Sequence, residues 1–147
     1  MEQQQICDLY AQHKTGIFRY VLSITKDPQL SEDVLQDTFL KVLQSGIVCT
    51  AGKEQAWLYR VARNLCYDHL RRRKREQGHI APPAAEEPQY EYIELIASLS
   101  PRDREIVTLK IVGGLTHQEI GAVLGISAKA AQKRYERAIA ALRGKEL

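Results

Sequence analysis

Only three cysteines occur among the 147 residues, Cys7, Cys49 and Cys66. They are odd in number and far apart, so no disulfide framework follows, and no C-x-x-C pair or suitably spaced histidine completes a zinc site. Cys66 reads as a small core residue. No stretch approaches the ~18 consecutive apolar residues of a membrane span. The opening MEQQQICDLY lacks the basic-then-apolar order of a signal peptide, so the expectation is a cytoplasmic protein with no membrane insertion. Glycine-rich phosphate loops are missing, the four histidines are scattered, and no Ser, Cys or His is paired with a base by spacing. An enzyme is therefore not expected, and neither is a metal, a cofactor or a small-molecule substrate.

What is present is charge, unevenly placed. The net charge is only +3, yet residues 60–75 hold seven basic side chains against Asp68, and residues 128–145 hold six against Glu136. The rest of the chain is net acidic. Two separated cationic segments on an acidic body fit two contacts with a polyanion.

Apolar residues from Ile6 to Ile24 recur at three- and four-residue spacing, which predicts an amphipathic helix over residues 3–25, stopped at Asp27-Pro28. A second helix is expected with Ser31 as its N-cap, Glu32 and Asp33 in its first turn, and Leu30 stapled onto Leu35. Its inner face is Val34, Leu35, Thr38, Phe39, Val42 and Leu43; Glu32, Asp33, Gln36, Asp37 and Lys41 are left outside. Residues 45–55 read as a loop, and residues 56–75 as a long helix. One side of that helix collects Leu58, Val61, Ala62, Leu65 and His69, and the other Arg60, Arg63, Asn64, Tyr67 and Arg71. Guanidinium groups with Asn and Tyr on an exposed face can neutralise phosphates, stack on unpaired bases and read base edges.

EQGHIAPPAAEEPQ, with three prolines and no apolar period, marks a flexible linker and a domain boundary. Beyond it come a short apolar helix in YIELIASLS, a helix with Pro101 at its first position, and a stop at Gly113-Gly114. Thr116 and Glu119 form a capping box opening a helix through Leu124, Gly125 makes a tight turn, and Ser127 caps a basic helix to about Arg143. This is the form of a helix-turn-helix. In the last helix Ala131, Tyr135, Ala138 and Leu142 face inward, leaving Gln132, Lys133, Glu136 and Arg137 to reach base edges.

SEDVLQDTFLKV, AWLYRVARNLCYDHLRRRKR and LSPRDREIVTLKIVGGLTHQEIGAVLGIS, in that order, resemble three segments of the bacterial sigma factors of the extracytoplasmic-function group. The resemblance covers nearly the whole chain outside the linker. It implies an all-α fold of two small helical domains joined by a flexible linker: region 2 over residues 1–75, the linker over 76–91, and region 4, a helix-turn-helix domain, over 92–147. It further implies that Glu32, Asp33, Gln36 and Asp37 meet core RNA polymerase. Arg60, Arg63, Asn64, Tyr67, Arg71 and Arg72 would melt and read the minus-ten element, with Asn64 holding a flipped base beside the 45–55 loop. Lys129, Gln132, Lys133, Glu136 and Arg137 would face the minus-thirty-five duplex. The partners implied are core RNA polymerase at its clamp and flap regions, promoter DNA, and an anti-sigma factor.

Three positions of the helix-turn-helix depart from the family pattern. Ala130-Ala131 stands where Thr-Val is usual, which removes a hydroxyl from one phosphate contact. Gly121 stands where Ala is usual, which should weaken its helix by roughly 0.5–1 kcal/mol. A free-standing helix-turn-helix regulator is the alternative reading, and it leaves the acidic helix and the Arg-Asn-Tyr face without a role.

Overall fold

The computed structural model describes residues 3–45, 54–77 and 95–145, and among them every regular element is helical. α1 (Gln3–Thr25) ends where Lys26 adopts a positive φ of 56°. α2 (Pro28–Ser45) begins a turn earlier than the sequence predicts. Its cap is Asp27, whose Oδ1 accepts from the Gln29 amide at 3.0 Å and the Leu30 amide at 3.3 Å. Pro28 follows at the first helical position, where a missing N–H is no loss. Ser31, the expected cap, is instead fully buried and donates to the Asp27 carbonyl at 2.8 Å. Glu32 and Asp33 consequently sit in the second turn.

Val34, Leu35, Thr38, Phe39 and Val42 are buried as expected, but Leu43 is 54% exposed. At about 100° per residue it falls just past Phe39, off the edge of the buried stripe. α3 (Glu54–Gln77) is longer at both ends than the predicted helix. It buries Leu58, Tyr59, Ala62 and Cys66, while Val61, Leu65 and His69 are half-buried. Burial pushes the Cys66 thiol up to about 12, which leaves it an inert apolar group.

α4 (Pro101–Ile111) is capped by Ser100, whose side chain accepts from the Asp103 amide, and carries Pro101 in its first turn. Five successive residues, Glu105 to Leu109, are buried. A helix enclosed on all sides is a central element rather than a surface one: α4 packs against α1 and also against α5 and α6. α5 (His117–Leu124) carries the complete Thr116–Glu119 capping box, with Glu119 Oε1 accepting from the Thr116 amide at 2.9 Å and Thr116 Oγ1 from the Glu119 amide at 3.1 Å. Gly125, at φ 76°, turns the chain, and Ser127 accepts from the Ala130 amide at 3.0 Å to open α6 (Ala128–Lys145).

Gly121 has a role that the helix-propensity argument misses. A Cβ there would lie 2.5 Å from the Ile126 carbonyl oxygen, so the absent side chain lets α5 pack closely on the turn that follows it.

The two helical units are therefore α1–α3 and α4–α6. Their apolar side chains form one continuous core. Within α1–α3 the buried Tyr20 and Tyr59 rings lie 5.6 Å apart, and the Tyr59 hydroxyl, packed against Gly16 of the same unit, reaches across the seam to Gly113. Gln55 Nε2 donates to the Gly113 carbonyl at 2.6 Å. Residues 46–53, which include Cys49 and most of the expected loop, and residues 78–94, which include most of the expected linker, lie outside the described residues.

Candidate nucleic-acid interface

The outer face of α3 and the adjoining end of α2 enclose an open polar cleft of about 520 Å³, lined by Lys41, Arg63, Asn64, Tyr67, Asp68 and Arg71. That volume is within the range of sites that hold a small organic group such as a nucleobase. Asn64 is exposed at its rim, with Arg60 and Arg72 exposed on the same helix. Lys41, read from the sequence only as an outward residue of the acidic helix, contributes a cation to this cleft. Its place depends on how α2 crosses α3, which no spacing within α2 reveals.

Arg63 and Tyr67 do not form the uncompensated, fully exposed face that the sequence predicts. Both are half-buried and both bind Glu105 on α4. Arg63 Nε donates to Glu105 Oε1 at 2.8 Å, and Tyr67 Oη donates to Oε2 at 3.1 Å. Tyr20 Oη donates to Oε1 at 2.6 Å. The guanidinium carbon of Arg63 also lies 5.0 Å from the Tyr67 ring centroid, a cation–π distance. Burial opposes charge on Arg63, but the hydrogen bond and attraction from Glu105 outweigh it and hold the guanidinium more firmly protonated. Burial, reinforced by the Glu105 charge, pushes the Tyr20 and Tyr67 hydroxyls above their ordinary range, so both stay neutral donors.

Two more cations of α3 are compensated. Arg71 pairs with Asp68 one turn away, both largely exposed, and Arg73 pairs with Asp27. Burial works against ionisation of Asp27, yet Arg73 and the Leu30 and Gln29 amides outweigh it and hold the carboxyl below its usual range. One carboxylate thus caps α2 and ties down the basic end of α3.

The acidic residues of α2 are less uniform than their spacing suggests. Glu32, Asp33 and Gln36 are exposed. Asp37 is half-buried, with Oδ2 accepting from His69 Nε2 of α3 at 3.0 Å. Leu40 (49% exposed) and Leu43 continue this face as an apolar strip.

On α6 the arrangement follows the expected wheel. Ala131 and Ala138 are fully buried, Tyr135 and Leu142 are half-buried, and Lys129, Gln132, Lys133, Glu136 and Arg137 are all exposed. Gln132 Nε2 donates to Glu136 Oε1 at 3.1 Å, a local pair that base edges could replace. The helix stands free on one side of a compact helix-turn-helix, the geometry that enters a major groove.

Residues 9–76 match the Sigma-70 region 2 family and residues 89–142 match the Sigma-70 region 4 family. The chain is 30% identical over 135 residues to the ECF RNA polymerase sigma factor SigM of Bacillus subtilis, covering 83% of each protein. It is 32% identical to the RNA polymerase sigma factor CarQ of Myxococcus xanthus, covering 92% of this chain and 86% of that one. The chain belongs to the ECF RNA polymerase sigma factors.

A solved structure of CnrH in complex with the cytosolic domain of CnrY is 26% identical to this sigma factor, with a TM-score of 0.72 over 97% of this chain and 88% of that one. The fold is also that of the sigma factor RpoE from Bartonella quintana, solved with the anti-sigma factor NepR: TM-score 0.74 over 93% and 95% of the two chains at 24% identity. As a sigma factor the protein directs promoter recognition in transcription initiation. The free-standing regulator is not favoured, because both sigma regions are present in order. Among the described residues, no helix is long and apolar enough to cross a membrane.

Proposed function

We propose that this sigma factor acts in the cytoplasm without covalent chemistry of its own, as a dissociable subunit of RNA polymerase built from residues 1–75 and 92–147 on either side of the 76–91 linker. The observation that carries this reading is the pairing, in one chain, of a cationic cleft containing an Asn and a Tyr with an exposed helix-turn-helix face.

In region 2, Asn64 receives an unpaired base of the minus-ten element at the cleft, while Arg60, Arg63, Tyr67, Arg71 and Arg72 contact the strand. Stacking on an aromatic ring contributes about 1–3 kcal/mol per base, which favours the melted strand over the duplex. In region 4, Lys129 meets a phosphate while Gln132, Lys133, Glu136 and Arg137 read the minus-thirty-five duplex. The exposed carboxylates Glu32 and Asp33, with Gln36 and the part-shared Asp37, dock on the polymerase clamp, and region 4 on the flap. Acidic groups there also repel DNA from the protein-binding face. The anti-sigma complexes of similar fold support a regulatory partner of that kind.

Core polymerase mixed with the purified chain should gain transcription from a cognate promoter. Glu32→Lys with Asp33→Lys should abolish that gain and co-elution with core while leaving the helix content unchanged. Asp37 is left out of this variant because its bond to His69 makes it part of the α2–α3 packing. Transcription and co-elution undiminished by the charge reversal would refute the docking assignment.

A further inference from the structure

By its spacing His69 belongs with the inner side of α3, yet its partner is a charged group on another helix: Nε2 lies 3.0 Å from Asp37 Oδ2 of α2. An ionised carboxylate only accepts, so the imidazole carries a proton on Nε2 and donates it. The His69 side chain is 21% exposed and that of Asp37 45%, so the ring is the sheltered member and the carboxylate faces solvent. Asp37 Oδ1 has no partner among the described residues. One oxygen is anchored and the other is open to an incoming donor. One turn along α2, the exposed Leu40 offers apolar surface that, once covered, shields the pair from water and strengthens every charge interaction there.

Resting on the assignment of Asp37 to the polymerase-docking face, we propose that His69 is a positioning residue for that docking: it fixes the Asp37 carboxylate on α2 and sets how much negative charge it offers. A neutral imidazole aims the carboxylate and leaves its charge whole. A protonated one forms a net-neutral ion pair, and an approaching cation then meets a positive charge behind the carboxylate, so docking weakens. Histidine is the side chain whose charge ordinarily changes between about pH 5 and 8. The other charged and titratable groups do not join the pair. On α3, Arg73 is bound to Asp27 and Arg72 is exposed. On α2, Asp33 and Lys41 lie one turn to either side of Asp37, with Lys41 in the cleft of α3. α1 packs on both helices but gives neither residue a hydrogen bond or ion pair among the described residues. On α5, which also packs on α3, Glu119 is held in its capping box and His117 lies against Tyr135.

The test uses the full chain, labelled at its N-terminus, and its affinity for core RNA polymerase at about pH 8 and about pH 6 at constant ionic strength. His69→Gln keeps a side-chain N–H donor without a titratable charge, and His69→Leu keeps bulk and removes the donor. Between the two pH values the parent should lose roughly threefold to tenfold more affinity than His69→Gln. Both chains meet the same polymerase, so its own titration cancels in this comparison. At the higher pH, His69→Leu should bind about threefold more weakly than the parent, and His69→Gln should recover most of that loss. Asp37→Asn should weaken docking at the higher pH and abolish the parent's excess dependence on pH. Helix content checks that each variant is folded; if His69→Leu is not, the comparison of parent with His69→Gln decides.

Equal loss of affinity in parent and His69→Gln on acidification would overturn the inference. So would a folded His69→Leu that binds at the higher pH as tightly as His69→Gln. In either case a weakened Asp37→Asn would leave the assignment of Asp37 to docking in place. An Asp37→Asn chain that binds core as tightly as the parent would instead remove that assignment, and the role of His69 with it.

Discussion

α3 and α6 are both long basic helices with residues assigned to DNA, but their surroundings differ. On α3, Arg63 is held by Glu105, Arg71 by Asp68 and Arg73 by Asp27. Its other face buries Leu58, Tyr59, Ala62 and Cys66 at the centre of the molecule. On α6, Lys129, Lys133 and Arg137 are exposed and have no acidic partner among the described residues, and the fully buried side chains are two alanines, Ala131 and Ala138. α3 is thus structural and functional at once, whereas α6 presents its reading face at little structural cost. Substitutions on α3 should couple stability to promoter opening; those on the outer face of α6 should separate them.

The largest effect expected from this contrast is at Tyr59. It is 1% exposed and its hydroxyl is packed against Gly16 and Gly113, so Tyr59→Ala opens a cavity at the seam between the two halves. A loss of about 3–5 kcal/mol is expected in urea unfolding. Burial also pushes the Tyr59 hydroxyl far above its ordinary range, so this contribution should not vary with pH across the neutral region. A change below about 1 kcal/mol would mean that the seam is not formed in solution, and the asymmetry between α3 and α6 would collapse.

On α6 the expected effect is smaller and falls on DNA alone. Arg137→Ala should weaken recognition at one position of the minus-thirty-five duplex by about 1–3 kcal/mol, with unfolding stability within about 0.5 kcal/mol of the parent. Asn64→Ala is its counterpart on α3: duplex binding by region 4 should be spared and strand opening impaired, which permanganate footprinting of the open complex reads directly. If Arg137→Ala impaired opening with unchanged duplex recognition, the division of labour between the two helices would be wrong.

The difference between these helices also explains what was legible in the sequence. The helix-turn-helix was legible down to its caps because its signals are local: Thr116 and Glu119 are three residues apart, and Gly125 and Ser127 follow within the same unit. The inward alanines and outward polar residues of α6 need only the helical period. On α3 the period correctly placed Arg60, Asn64 and Arg71 outside, but Arg63 and Tyr67 are decided by Glu105, 42 and 38 residues away. Nothing in PRDREIVTLKIV distinguishes Glu105 from its solvated neighbours until α4 is packed on all sides. Lys41 joins the cleft through an equally non-local cause, the crossing of α2 and α3. The start of α2 was misplaced for a local reason: Asp27 and Ser31 are both good caps, and Pro28 favours the earlier one.

The smallest effect sharpens the same contrast at the basic end of α3. Asp27→Asn retains an N-cap side chain for α2 but removes the charge facing Arg73. Because the carboxyl is held below its unfolded value of 3.8, its charged form stabilises the fold. That stabilisation is fully present above the unfolded value and is lost as pH falls through the lower folded value. The parent should therefore exceed Asp27→Asn by about 1 kcal/mol near neutral pH, a modest figure for a part-exposed ion pair. The gap should narrow as pH drops below 3.8, where protonation of Asp27 makes the parent resemble the variant. Arg137→Ala on α6, where no acidic partner is present among the described residues, should show no such convergence. Equal stability of parent and Asp27→Asn at neutral pH would place Arg73 with the freely solvated cations, and one of the three restraints that distinguish α3 from α6 would be gone.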